Sequence, residues 1–139
     1  MSVECFLDTN VAVYAIDTTR GAAHKRQIAR KILRDGNFGV STQVLQEFYV
    51  TATKKLKRPF SVSTAARWVD MLCRAELVNL DAALIKLAIV RSQRYQISYW
   101  DGAIIAAAEA LGASILYSED LSHGQSYGSV RVENPFFGI

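Results

Sequence analysis

The chain has little of what staples, ligates or punctuates a protein. Its 139 residues include two cysteines, two histidines and two prolines. Cys5 and Cys73 lie in apolar patterns (Val3, Cys5, Leu7; Trp68, Met71, Leu72, Cys73) rather than at metal-ligand spacing, so both read as small buried hydrophobes. His24 and His123 each sit in a polar segment with no partner at useful spacing, which leaves neither a catalytic role. No stretch resembles a Pro/Gly/Ser linker, a repeat or a low-complexity segment. No run approaches the roughly 20 apolar residues of a membrane span. The first residues carry Glu4 where a signal peptide needs a basic region, and the expectation is a cytoplasmic protein that uses no membrane.

What the chain has is apolar substance: half its residues are hydrophobic and 21% are charged, enough for one compact domain over residues 1–139 and too ordered a composition for disorder. The net charge of +3 would suit a polyanionic partner, but many proteins share so mild an excess.

Short apolar runs alternate with longer helical patterns, the arrangement of a mostly parallel sheet covered by helices on both faces. Strands are predicted at Val3 to Leu7, Phe38 to Val40, Glu76 to Leu80, Ser114 to Tyr117 and Val130 to Glu133. A helix begins near Asn10, and another runs from Ala22 to Arg34 and closes at Gly36. Ser41 or Thr42 caps a helix stopped by Pro59, and Ser61 or Ser63 begins the next. Asp81 caps a helix expected to bury Leu84, Ile85, Ala88 and Ile89. Ser98 caps Tyr99 to Leu111, which is apolar nearly all round and should pack deep against the sheet.

In such a sheet, chemistry collects beyond the carboxyl ends of the strands. Asp8 follows the first strand, Asp101 lies in the first turn of the apolar helix, and Asp120 comes just after the strand ending at Tyr117. Glu47, one turn beyond Gln43, can lean over the same edge. Each has a bland reading: Asp8 as a helix cap, Asp101 as a capping-box partner of Ser98, Glu47 as a solvated helix residue, and Asp120 with Glu119 as turn material. Together they fit the bland readings less well. Carboxylates gathered at one place repel by up to about 4 kcal/mol per close pair at an effective dielectric near 20, and a divalent cation is the usual compensation. All-oxygen ligands favour Mg²⁺ or Mn²⁺ over zinc, and such an ion activates water and neutralises charge on a phosphoryl group, which makes phosphodiester hydrolysis the expected reaction. Asn10 and Ser118, and less clearly Thr9, are expected to orient those carboxylates without adding repulsion.

Four segments carry a family likeness: Phe-Leu-Asp-Thr-Asn-Val at 6–11, Ser-Thr-Gln-Val-Leu-Gln-Glu-Phe at 41–48, Tyr-Trp-Asp-Gly-Ala-Ile-Ile-Ala-Ala-Ala at 99–108 and Leu-Tyr-Ser-Glu-Asp-Leu at 116–121. In order and over essentially the whole chain, they resemble the PIN domain family, in particular its VapC-like toxins from toxin-antitoxin pairs. The resemblance implies an α/β/α sandwich around a parallel sheet, RNA cleavage dependent on Mg²⁺ or Mn²⁺, frequent homodimerisation and a small antitoxin partner. It assigns the acidic positions to Asp8, Glu47, Asp101 and Asp120, with Gly102 where the family often has Ala and Ser118 where it often has Thr. Whether Glu119 or Asp120 faces the metal stays open.

Lys54, Lys55, Lys57 and Arg58 are candidates for phosphate contact, whereas Arg26, Arg30 and Arg34 read as a solvated helix face. Tyr99 and Trp100 flank Asp101 and could stack on a base, although aromatics opening a buried helix are more often core. A haloacid-dehalogenase-type phosphatase needs a second Asp where this chain has Asn10. The remaining alternatives are a catalytically inactive PIN-fold RNA- or protein-binding module and a housekeeping nuclease without an antitoxin.

Overall fold

The computed structural model describes residues 3–139. Its strands are β1 (Cys5–Leu7), β2 (Phe38–Ser41), β3 (Glu76–Val78), β4 (Ile115–Tyr117), β5 (Ser126–Tyr127) and β6 (Val130–Glu133). They form one sheet in the order β3-β2-β1-β4-β6-β5, parallel throughout except for the β5-β6 pair. The Cys-Phe-Leu of β1 is buried at every position, as a strand with neighbours on both edges and helices on both faces must be. Phe6 pairs with Gly39 on one side and Leu116 on the other. All five strands predicted from the sequence are present: β1, β3 and β4 are shorter than drawn, β2 runs one residue further to Ser41, and β6 has the predicted bounds. The sixth, β5, is a two-residue antiparallel edge with no apolar pattern to announce it.

The helices are α1 (Thr9–Tyr14), α2 (Ala23–Asp35), α3 (Thr42–Val50), α4 (Val62–Leu72), α5 (Ala82–Tyr95) and α6 (Tyr99–Ala110). Short polar side chains start most of them: Ser41, Ser61, Asp81 and Ser98 each accept the backbone N–H three residues on. Gly36 closes α2 at φ 79°, a left-handed conformation that suits glycine. The connections β1-β2 and β2-β3 step one way along the sheet, and the connection β3-β4 steps back past β1. Right-handed crossovers therefore put α1 to α4 on one face and α5 with α6 on the other, giving the expected α/β/α layers. The reversal lies between β1 and β4, where an open parallel sheet leaves a crevice at its carboxyl edge.

Helix α6 is the main buttress of the second face, with Gly102 through Ala108 all buried. A Cβ on Gly102 would stand 2.6 Å from the Ala88 carbonyl oxygen and 3.0 Å from the Ser92 nitrogen. Glycine here lets α5 and α6 touch backbone to backbone. Arg91 and Glu109 clamp the same pair of helices through two hydrogen bonds of 2.7 and 3.0 Å.

Two sequence expectations need correction. Helix α5 buries Leu84, Ala88 and Ser92, while Ile85 and Ile89 face outward, because α6 covers only a narrow stripe of α5. Cys73 is exposed rather than buried, since it follows the last turn of α4 and lies past the point where Leu72 enters the core; Cys5 is buried as expected.

Candidate active site

Asp8 follows the central strand, and its backbone N–H still donates to the Tyr117 carbonyl at 3.0 Å, so the carboxylate is aimed from the β1-β4 seam. Its Oδ1 accepts the Thr9 N–H at 2.8 Å, which starts α1, and its Oδ2 accepts the Ser118 hydroxyl at 2.8 Å. The Asp120 N–H in turn donates to Ser118 Oγ at 3.1 Å, and the Glu119 N–H donates to Asn10 Oδ1 at 3.2 Å. Two neutral side chains thus strap the loop after β4 to the end of β1. Ser118 touches the Asp8 carboxylate, whereas Asn10, expected to orient a carboxylate, accepts the Glu119 backbone N–H instead.

Glu47 reaches the same place from α3, its Oε1 accepting the Thr9 hydroxyl at 2.7 Å. Asp101 arrives from the first turn of α6, where Ser98 holds its backbone N–H at 3.1 Å. Asp8, Glu47, Asp101 and Asp120 all line one cavity of about 680 Å³. Capping and lining the cavity are therefore compatible for Asp8 and Asp101, since the hydrogen bonds that cap α1 and α6 involve residues that also line it.

The electrostatics carry the mark of this convergence. Burial pushes the Asp8 carboxyl up to about 7; the hydrogen bonds from Ser118 and Thr9 oppose the shift, and the charges of Asp120 and Glu47 add to it. Asp101 is also raised, first by burial and then by Asp120 and Glu47, against the hydrogen bond with Ser98. Glu119 is engaged elsewhere: Lys25 Nζ donates to its Oε2 at 2.6 Å and the Tyr14 hydroxyl to its Oε1 at 3.2 Å. Asp120, not Glu119, is the acidic neighbour that Asp8 and Asp101 feel.

The donor chemistry suits a hard divalent cation: the carboxylates offer oxygen alone, and the innermost is held in a setting that favours added positive charge. The side chains are not drawn into mutual contact. Among the described residues, no three His, Cys, Asp or Glu form a tight ligand group, and the nearest oxygens are engaged with Thr9 and Ser118. Asn10 Nδ2 and Gln43 Oε1 are buried with no hydrogen-bond partner.

Of the four basic candidates, Lys55 lines the cavity, whereas Lys54, Lys57 and Arg58 are exposed outside it. Lys55 gets there because α3 continues as a π-helical turn, Thr51–Lys55, in which the Leu56 N–H donates to Thr51 O at 3.2 Å. Arg26 and Arg30 do more than face solvent: they donate at 2.7 Å to the carbonyls of Asp17 and Ala15, just past the end of α1. Trp100 is 61% exposed and lines the cavity, which corrects the core reading; the buried run of α6 begins two residues later, at Gly102. The sequence reading passed over Gln43, buried and donating to the Trp100 carbonyl at 3.3 Å, and over the Lys25-Glu119 pair. Helical spacing from Glu47 could have flagged Gln43. No local signal joins residues 25 and 119.

A parallel α/β domain with acidic side chains from four separate segments at its topological switch point defines the class. The chain belongs to the PIN domain family, whose model matches residues 5–125. Its fold is similar to that of a toxin-antitoxin complex from Klebsiella pneumoniae (TM-score 0.70, 17% identity, 96% of this chain and 98% of that one). It is also similar to Mycobacterium tuberculosis VapC20, a sarcin-ricin-loop-cleaving toxin (0.64, 16%, 84% and 90%), and to DNA-bound VapBC from Salmonella typhimurium (0.63, 20%, 94% and 97%). No curated protein matches the chain by sequence. Among the described residues, no helix is long and apolar enough to cross a membrane.

Proposed function

We propose that this protein is a metal-dependent endoribonuclease and the toxin of a toxin-antitoxin pair, acting in the cytoplasm, as a homodimer, under the control of a small antitoxin. The observation that carries the nuclease reading is the meeting of Asp8, Glu47, Asp101 and Asp120 in one cavity at the switch point. The toxin and antitoxin reading is supported by the VapBC complexes among the structural neighbours. Asp8 and Asp101 would hold Mg²⁺ or Mn²⁺, with Glu47 and Asp120 completing the negative charge around it. The bound ion would supply an activated water and offset charge building on the scissile phosphate.

The protein's own residues set the conditions for that chemistry. Ser118 and the Thr9 N–H orient the two Asp8 oxygens and oppose protonation, keeping the carboxylate available near neutral pH. The Thr9 hydroxyl fixes the Glu47 rotamer. Lys55 at the cavity gives the RNA backbone a cation that the acidic floor lacks.

Purified protein is expected to cleave RNA with Mg²⁺ or Mn²⁺ and not with excess chelator, and Asp8→Asn or Asp101→Asn should abolish cleavage with circular dichroism unchanged. Cleavage in chelator, or by either variant, would contradict the proposal. An intact fold with no cleavage under any metal would favour a binding module. Cleavage without growth inhibition on expression in bacteria would favour a housekeeping nuclease.

A further inference from the structure

Trp100 stands where a core residue was expected, yet 61% of it is exposed, beside Asp101 at the rim of the acidic cavity. It is a large apolar surface left in water at the place where substrate must enter, and it is held in place. The Gln43 amide donates to its backbone carbonyl at 3.3 Å, and its ring meets that of Tyr99 edge to face, with centroids 5.0 Å apart and planes at 80°. Tyr99 itself packs on the core. An edge-to-face contact of this kind braces the ring and leaves at least one of its faces free. The next residue, Asp101, is one of the four carboxylates and lines the same cavity, so a ligand that spans this cavity meets both. Lys55, the one cation of the basic cluster that lines the cavity, comes from a different helix.

We infer that Trp100 is the stacking platform for a nucleobase next to the scissile phosphate, in a subsite whose cationic contact is Lys55. This rests on the ribonuclease reading and adds to it a positioning residue and a ligand feature, an unpaired base. Stacking on a braced ring needs a base free of its own stack, so the substrate is a loop or single strand rather than a continuous duplex. Because every base has a flat face, the contact tolerates sequence and sets affinity and register. Trp100 acts on binding and leaves the chemical step to the carboxylates.

The test uses the Trp68→Phe protein, in which Trp100 is the sole tryptophan. A short single-stranded oligoadenylate, titrated in chelator, is expected to quench Trp100 fluorescence, while an abasic ribose-phosphate oligomer of the same length leaves it unchanged. With metal, Trp100→Ala should raise KM for RNA roughly 5- to 150-fold, the fold-change equivalent of losing one stacked base, with kcat within about twofold and Trp100→Phe restoring most of the loss. Exposure of the ring predicts no change in folding for either variant. Equal quenching by both oligomers, no quenching by either, or an unchanged KM in Trp100→Ala would overturn the inference. If Trp100→Ala leaves KM unchanged and weakens only the binding of a co-expressed protein partner, the ring belongs to that interface instead. Base-dependent quenching in a protein that cleaves no RNA would leave the base-stacking contact standing and defeat the nuclease reading, and with it the placement beside a scissile phosphate.

Discussion

Removing the charge of Asp8 should make the protein more stable while destroying its activity. Asp8 is 5% exposed and its carboxyl is pushed from 3.8 up to about 7. A raised carboxyl means the folded state binds a proton that the unfolded chain gives up, so stability from this group is intact below about pH 4 and is lost as pH rises towards 7. A shift of about 3 units at about 1.4 kcal/mol each makes ionised Asp8 cost on the order of 4 kcal/mol at neutral pH. Asn keeps an oxygen for the Thr9 N–H but turns its amide toward the Ser118 hydroxyl, which gives back about 1–2 kcal/mol of hydrogen bonding. The net gain for Asp8→Asn in chelator at pH 7 is therefore about 2–3 kcal/mol, or roughly 6–12 °C in Tm for a domain of this size. At pH 5 the wild-type carboxyl is largely protonated, and the advantage should shrink by about 2 kcal/mol. Urea and thermal unfolding of both proteins in chelator at pH 5 and pH 7 measure this. A variant no more stable than wild type at pH 7, or a difference independent of pH, would refute the reasoning about burial.

The remaining predictions bear on the loop after β4 and on the α5-α6 contact. Asp120→Asn should lower kcat/KM for RNA at least tenfold, whereas Glu119→Gln should change it less than threefold, because Lys25 and Tyr14 hold Glu119; steady-state cleavage assays separate the two. Lys25→Met, by breaking a part-exposed pair of 2.6 Å, should cost about 1 kcal/mol or less in urea unfolding. Gly102→Ala should destabilise the fold by roughly 1–3 kcal/mol, since its Cβ meets the Ala88 carbonyl at 2.6 Å, and a Tm equal to wild type would show that α5 can yield.

The layers of the fold were legible because the signals for them are local. The buried run at β1, the caps at Ser41, Ser61, Asp81 and Ser98, and the apolar helix α6 each follow from a few adjacent residues. The gathering of Asp8, Glu47, Asp101 and Asp120 at one cavity was also within reach, because strand ends in a parallel sheet share an edge. What escaped depends on contacts between distant segments. The exposure of Ile85 and Ile89 is decided by how narrowly α6 covers α5, and that of Trp100 by where α6 meets the sheet. Nothing near Glu119 in the sequence signals that Lys25 will claim it, and the π-helical turn that carries Lys55 to the cavity has no residue signature of its own.

The most direct test of the acidic site is a crystal of the protein soaked in Mn²⁺ and measured at the manganese absorption edge. The account predicts an anomalous peak inside the cavity, within ligand distance of Asp8 and Asp101, that disappears in Asp8→Asn crystals. A manganese ion bound only outside this cavity, or a peak that survives loss of the Asp8 charge, would contradict it.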